Sequence, residues 1–290
     1  MTATNTAKPP LKWDLLIFKR PGVTRGLPAG NDESLMWVAN TVTLIYGEKD
    51  AILVDTFLTV EQNQALVDWV VASGKNLTAI YITHGHGDHF FGIKMLQDRF
   101  PNARAIATPD AVKAMPAQFS QVALDTFWQK LFPGQIPDNL AAAEALEGDE
   151  FELEGHKLVV VDTGFTDTFS TTALYVPSIH LVVAGDAVYN GIHPFMAETT
   201  QQTRLEWLAA LDRIEALQPS AVIAGHKNPE NDDNPGIIDE TRNYILDFNR
   251  LDEVTTTAEE LYNKMLELHP DRANLGSLWG AANAAKAVKA

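Results

Sequence analysis

Cysteine is absent from the 290-residue chain. That excludes disulfides, thiolate metal ligands and a cysteine nucleophile together, so any transition metal must be held by histidine and carboxylate. Basic side chains are also scarce: 22 Lys and Arg stand against 38 Asp and Glu, a formal net charge of −16. A field of that sign repels phosphate backbones and anionic bilayers, which argues against nucleic acid and membrane surfaces and leaves a small molecule as the expected partner. No apolar run approaches the roughly 20 residues of a membrane span. Met1 to Pro10 is small, polar and proline-ended, without the apolar core of a signal peptide, so a cytoplasmic location is expected.

What is present is an alternation of strand-like and helix-like stretches. Thr41 to Tyr46 and Ala51 to Asp55 flank Gly47-Glu48-Lys49-Asp50 as a hairpin would. Val60 to Ala72 carries apolar residues at helical spacing, and Leu77 to Thr83 reads as a buried strand. Phe90 to Phe100 looks helical and Ala103 to Thr108 extended. The second half repeats this order: Phe151 to Leu153 against Lys157 to Asp162, then Thr172 to Val176, Leu181 to Ala184, a helix over Arg204 to Leu217, and Ala221 to Ala224. Two β-rich halves, each closed by helices, predict an α/β fold of αββα type, two mixed sheets face to face with helices outside. From residue 237 to 290 the pattern is helical, with Thr257-Ala258-Glu259-Glu260 forming a capping box. No linker or short-period repeat interrupts residues 1–290, so one domain is expected.

The chemistry is concentrated in Thr83-His84-Gly85-His86-Gly87-Asp88-His89, directly after an apolar strand. Three imidazoles and a carboxylate within six residues suit zinc, iron or manganese better than calcium or magnesium. The two glycines permit sharp dihedrals, so the side chains can converge.

This His-x-His-x-Asp-His run resembles the signature of the metallo-β-lactamase superfamily, and Val54-Asp55-Thr56, Ala184-Gly185-Asp186 and Ala224-Gly225-His226 match further recurrent features of that fold. The resemblance implies that His84 and His86 belong to a first metal position, and Asp88, His89 and His226 to a second. Asp186 would bridge the two, with Asp55 bracing the ligand loop. It also implies a third first-site histidine in a Gly-His-Thr turn upstream of Asp186. Here the turn reads Thr163-Gly164-Phe165-Thr166-Asp167. Phe165 therefore stands where the family has a ligand, and the first site is expected to be weakened. His156, His180 and His269 read as surface or structural residues. His193, on the loop after Asp186, is a candidate for a catalytic or pocket-lining role.

A metal held by neutral imidazoles and carboxylates lowers the pKa of bound water toward about 7 and polarises carbonyl or phosphoryl oxygens. Asp88 is the carboxylate placed to orient the attacking water. The expected cofactor is Zn2+, one or two ions, with Fe or Mn as alternatives. The leading expectation is a metallo-hydrolase of a small, fairly apolar ester, lactone or related carbonyl compound. Residues 111–137 place Met115, Phe119, Phe127, Trp128, Leu131 and Phe132 among few charges, as ordinary helix core or as an apolar cover. In the second case Trp128 and Phe132, with Phe57, Phe90 and Phe165, would contact substrate. Other readings keep the fold: a one-metal oxygenase, a lyase or isomerase, a ligand-binding protein without turnover, or a site-directed variant at Phe165.

Overall fold

Period-two burial sorts the strands into layers. In the strand Asp50–Val54, Ala51 and Leu53 point to one hydrophobic cluster and Ile52 and Val54 to another. Val182 and Ala184 likewise face away from Leu181 and Val183 in the strand Leu181–Asn190. Strands buried on both faces must lie inside a multilayer structure. The computed structural model describes residues 8–287 and shows that arrangement.

One mixed sheet has six strands in spatial order, β1 (Lys12–Pro21), β2 (Trp37–Tyr46), β3 (Asp50–Val54), β4 (Asn76–Tyr81), β5 (Arg104–Ala107) and β6 (Glu144–Ala145). The other has five: β7 (Glu150–Leu153), β8 (His156–Gly164), β9 (Thr171–Val176), β10 (Leu181–Asn190) and β11 (Ala221–Lys227), ordered β11-β10-β9-β8-β7. Ile45, Ile52, Tyr81, Leu158, Leu174 and Ile223 fill the space between them. Helices Val60–Ala72 and Ile93–Arg99, with the 109–131 segment, cover the first sheet. Helices Gln201–Glu215, Ile237–Val254, Ala258–Leu268 and Leu275–Lys286 cover the second.

The αββα architecture is therefore as expected, and so is the hairpin, with Tyr46 paired to Ala51. The helix Val60–Ala72 matches the sequence reading, and the capping box at Thr257 and Glu260 is formed. Three details differ. The strand β1, which pairs along its whole length with β2, was not anticipated, because its alternation is broken by Lys and Asp on its outer face. The helix expected over Phe90 to Phe100 is two short ones, Gly87–Phe90 and Ile93–Arg99, interrupted around Phe91 and Gly92. Gly85 and Gly87 are needed for space rather than for unusual dihedrals. A Cβ on Gly85 would lie 2.8 Å from the Ala114 Cβ, and one on Gly87 would lie 2.7 Å from Phe91 and 2.8 Å from Trp128. The expected leader-free N-terminus at Met1 to Pro10 and the end of the alanine-rich tail fall largely or partly outside the described residues. No helix among those described is long and apolar enough to cross a membrane.

Trp207 fastens the outer layer to the strand that carries Asp186. It is fully buried, and its indole N–H donates to the Ala187 carbonyl at 2.8 Å. Trp207→Ala should cost about 3–5 kcal/mol through cavity formation and the orphaned carbonyl. Urea unfolding of the variant, read at unchanged m-value, checks this; a loss below about 1 kcal/mol would show that the layer relaxes into the cavity.

Candidate metal centre

The end of β4, the irregular middle of β10 and the end of β11 meet at one edge of the sandwich. Beyond β4 the chain turns through Thr83 and His84 to the short helix Gly87–Phe90. From the other sheet, β10 brings Asp186 and β11 brings His226, and the β8–β9 loop brings Asp167. Two groups of ligating side chains result: His84, His86, Asp167 and Asp186, and Asp88, His89 and His226. Within each group the ligating atoms lie within 4.8 Å of one another. Asp186 connects the groups, with Oδ1 3.4 Å from His89 Nε2 and Oδ2 3.1 Å from His226 Nε2.

Three of the four imidazoles have one nitrogen committed outside the cluster, which fixes the direction of the other. His226 Nδ1 donates to the Ala39 carbonyl at 2.8 Å. His89 Nδ1 donates to Asp55 Oδ2 at 2.9 Å. The Thr83 hydroxyl donates to Asp55 Oδ2 and so can accept from His84 Nδ1 at 3.0 Å. In all three rings Nε2 is the nitrogen left for the cluster. His86 is reversed: Nδ1 is 2.9 Å from Asp167 Oδ2, and Nε2 faces Glu198 Oε1 at 3.3 Å. The carboxylates are braced too. Asn40 Nδ2 donates to Asp88 Oδ2, Tyr189 OH to Asp186 Oδ2, each at 2.8 Å, and Thr166 Oγ1 to Asp167 Oδ1 at 2.9 Å. Asp55 itself sits at φ 63°, and its carboxylate also receives the Thr83 amide at 2.8 Å. That left-handed backbone is sustained by these bonds.

Five atoms of this cluster, His84 Nε2, His86 Nε2, His89 Nε2, Asp167 Oδ2 and Asp186 Oδ1, are buried without any hydrogen-bond partner. Buried polar atoms are rarely left so. Here they approach one another closely yet off the hydrogen-bonding directions, which is how donors are arranged around shared cations. The donor set of imidazoles and carboxylates, free of sulfur, fits divalent zinc, manganese or iron.

The electrostatics agree. Burial and the neighbouring His89 push His84 down to about 4. Burial also opposes charge on His86 and His89, but Asp167 and Asp186 respectively outweigh it and hold both well above the ordinary histidine value. Asp186, despite burial, is held well below the carboxylate range by His226 and His89. The carboxylates thus demand positive charge, from protons or from metal ions, and metal binding must displace protons.

The sequence reading needs correction at one ligand. Phe165 is half-buried and lies neither in the cluster nor on the cavity wall. Asp167, two residues on, supplies the fourth ligand of the first group, so that group is not the depleted one expected. His193 is also corrected. It is fully buried, its Nδ1 bonded to Tyr244 OH at 2.9 Å in the helical layer, and it does not line the cavity. Phe57 and Phe90 are fully buried core residues, with no face toward the site. Trp128 and Phe132 do line the cavity. Sequence reasoning missed Asn40, Tyr189 and Glu198 as well as Asp167. Asn40 had a signal, a lone amide in the apolar run of β2; Glu198, on an irregular loop, had none.

Fold and site together define an αββα sandwich with two adjoining histidine–carboxylate groups able to hold metal ions at one edge. The chain belongs to the Metallo-beta-lactamase superfamily, whose family model matches residues 35–226 and so spans every residue of both groups. It is similar to a hydroxyacylglutathione hydrolase of Francisella tularensis subsp. holarctica, 29% identical over 104 residues, 33% of this chain and 39% of the relative. The match thus spans well under half of that relative's length. Among solved structures it resembles a metallo-beta-lactamase family protein from Thermus thermophilus, with a TM-score of 0.62, 21% identity, and 93% and 91% of the two chains covered. A metallo-beta-lactamase from Pseudomonas aeruginosa, determined in a mono-zinc form, gives a TM-score of 0.59 at 16% identity, covering 83% of this chain and 97% of the other.

Replacing Asp167 with Ala should lower bound metal by up to one equivalent per chain, whereas Phe165→His should leave it unchanged. Elemental analysis of the purified proteins checks both. Unaltered metal in Asp167→Ala together with a gain in Phe165→His would restore Phe165 to the ligand position.

Proposed function

We propose that this chain is a metallo-hydrolase of a small ester, lactone, thioester or related carbonyl compound with a substantial apolar part. The observation that carries this reading is the cavity into which the metal groups open. It has a volume of about 540 Å³, and Trp128, Leu131, Phe132, Val38, Leu58 and Phe195 supply apolar wall beside His86, Asp88, Asp186 and His226. An apolar recess with a few convergent polar groups suits a small organic substrate. The curated relatives are named for hydrolysis of an acylglutathione, which supports acyl chemistry without fixing the substrate.

A divalent ion at either group would supply Lewis acidity, acidifying water and polarising a carbonyl. His84, His86, Asp167 and Asp186 would hold one such ion, and Asp88, His89, His226 and Asp186 a second, with zinc favoured and manganese or iron compatible with the donors. Asp88 faces the cavity, and although burial opposes it, His89 and His226 keep it ionised. Its carboxylate is therefore able to orient water and accept a proton. Asn40 fixes the rotation of that carboxylate. Tyr189 holds Asp186 and stacks on His226, with ring centroids 5.6 Å apart and planes at 7°.

The expected cover over 111–137 is helical as far as Leu131, and its side chains support reading part of it as core and part as cavity wall. Met115 is fully buried core, whereas Phe127, Trp128, Leu131 and Phe132 line the cavity. Part of it, Leu124–Trp128, is a π-helix, a winding that shifts side-chain directions within a helix and recurs at functional sites. The one-metal oxygenase, lyase and binding-protein readings rested on a depleted first group, and with Asp167 present they lose that support.

Chelator treatment should abolish hydrolysis of aryl esters and divalent metal should restore it. Trp128→Leu with Phe132→Leu should raise KM for apolar esters by about tenfold while kcat changes by less than about threefold, as for lost uniform binding. Steady-state kinetics on an alkyl-chain series checks this; a collapse of kcat at constant KM would place these side chains in the chemistry instead.

A further inference from the structure

One arginine lines the cavity among the described residues, and it comes from a strand outside the family-matched segment. Arg20 lies on β1, opposite Val38 of β2, which lines the same cavity. Its guanidinium sits over the Phe132 ring, 4.8 Å from the centroid, so an aromatic face of the cover supports it. Its own hydrogen bonding is nearly unused. The Nε is buried without a partner, and Nη1 makes a single long contact, 3.4 Å, to the Pro21 carbonyl.

The arginines that form ion pairs among the described residues are Arg104, Arg204, Arg242, Arg250 and Arg272. Arg20 is not one of them, in a chain with a large excess of carboxylates. Burial lowers its pKa, with Asp88 pulling the other way from across the site. A half-buried cation without an anion carries a desolvation cost that a partner would offset. Arginine presents a rigid planar fork matched to a carboxylate, and stacking on Phe132 fixes the plane of that fork.

We propose that Arg20 is a specificity-determining residue that receives a carboxylate borne by the substrate, so that the preferred substrates are acyl compounds whose apolar body carries an anionic group. This rests on the reading of the cavity as a substrate site and refines it: the apolar wall takes the hydrocarbon, the metal groups take the reacting carbonyl, and Arg20 takes the charge. The net charge of the chain does not oppose it, because exposed charges beyond about 10 Å are screened at ordinary ionic strength, whereas Arg20 acts at contact.

The test reads binding, so it stands apart from any failure to hydrolyse. α,ω-Dicarboxylates of four to ten carbons and the monocarboxylates of the same lengths are titrated into the metal-loaded protein, and dissociation constants are measured by calorimetry. One carboxylate of either series can meet the metals; only the dicarboxylate can also reach Arg20. The expected result is a chain length at which the dicarboxylate binds at least about tenfold tighter, an advantage of about 1.4 kcal/mol. Arg20→Met should abolish that advantage, with circular dichroism and metal content equal to those of the unmodified chain showing that the variant is folded. A dicarboxylate advantage at no length, or one that survives in Arg20→Met, would overturn the proposal.

Discussion

Three carboxylates and four imidazoles, Asp88, Asp167, Asp186, His84, His86, His89 and His226, are pressed together at one edge of the sandwich, almost all of them buried. Such a set is costly to take out of water, and no arrangement of hydrogen bonds within it satisfies every atom. Much of the surrounding structure can be understood as holding this cluster against its own repulsion. Asp55 ties the end of β3 to Thr83 and His89, and the Ala39 carbonyl fixes His226. Asn40 and Tyr189 each fix one carboxylate. These supports come from β2, the end of β3 and β10, in both sheets, so the sheets must be correctly registered before the ligands can converge. The site is thus coupled to folding, and cations that satisfy it stabilise the fold by mass action.

Asp167 in place of an imidazole changes the chemistry of the first group. Two divalent ions would bring four positive charges against three carboxylates, where a histidine at this position would leave only two carboxylates to offset them. The lower net charge would weaken the Lewis acidity of bound ions, and the added hard oxygen would make manganese or iron as acceptable as zinc. Glu198 acts in the same direction. It faces His86 Nε2 and also accepts from Thr168 at 2.7 Å, so it increases the basicity of that imidazole while remaining on the cavity wall.

Most of the fold and six of the seven clustered side chains were legible in the sequence, and the reasons differ. His84 to His89 is a dense local run, and Asp186 and His226 each follow an apolar stretch and a glycine within a strand. Local order suffices for these. Asp167 was hidden because a loop carries no period: between β8 and β9 the chain can advance two residues without changing either strand, and the residue that reaches the site is set by the loop's path. Thr166, Asp167 and Thr168 turn inward while Phe165 stays half out and Phe169 is exposed. The aromatic at position 165 drew attention to the wrong place. His193 misled for the converse reason: sequence proximity to Asp186 suggested the site, but the loop leads away, into a polar contact with Tyr244.

The cavity shows a division of labour between parts of the chain. The ligands stand on strand ends and short turns with nearly every side chain locked by a second hydrogen bond, as a preorganised centre requires. The wall stands on β1, the 109–132 segment and residues around Asn274 and Ser277, and its aromatic part, Trp128 and Phe132, is held by apolar packing. Apolar packing tolerates exchange of side chains of similar volume far better than a hydrogen-bonded cluster tolerates loss of a partner. The chemistry is therefore constrained by geometry while the choice of substrate is left to surfaces that can vary. Arg20 belongs to the second group: its backbone is pinned by pairing with β2, but its charge is committed to nothing in the protein, and what it recognises depends on what enters the cavity.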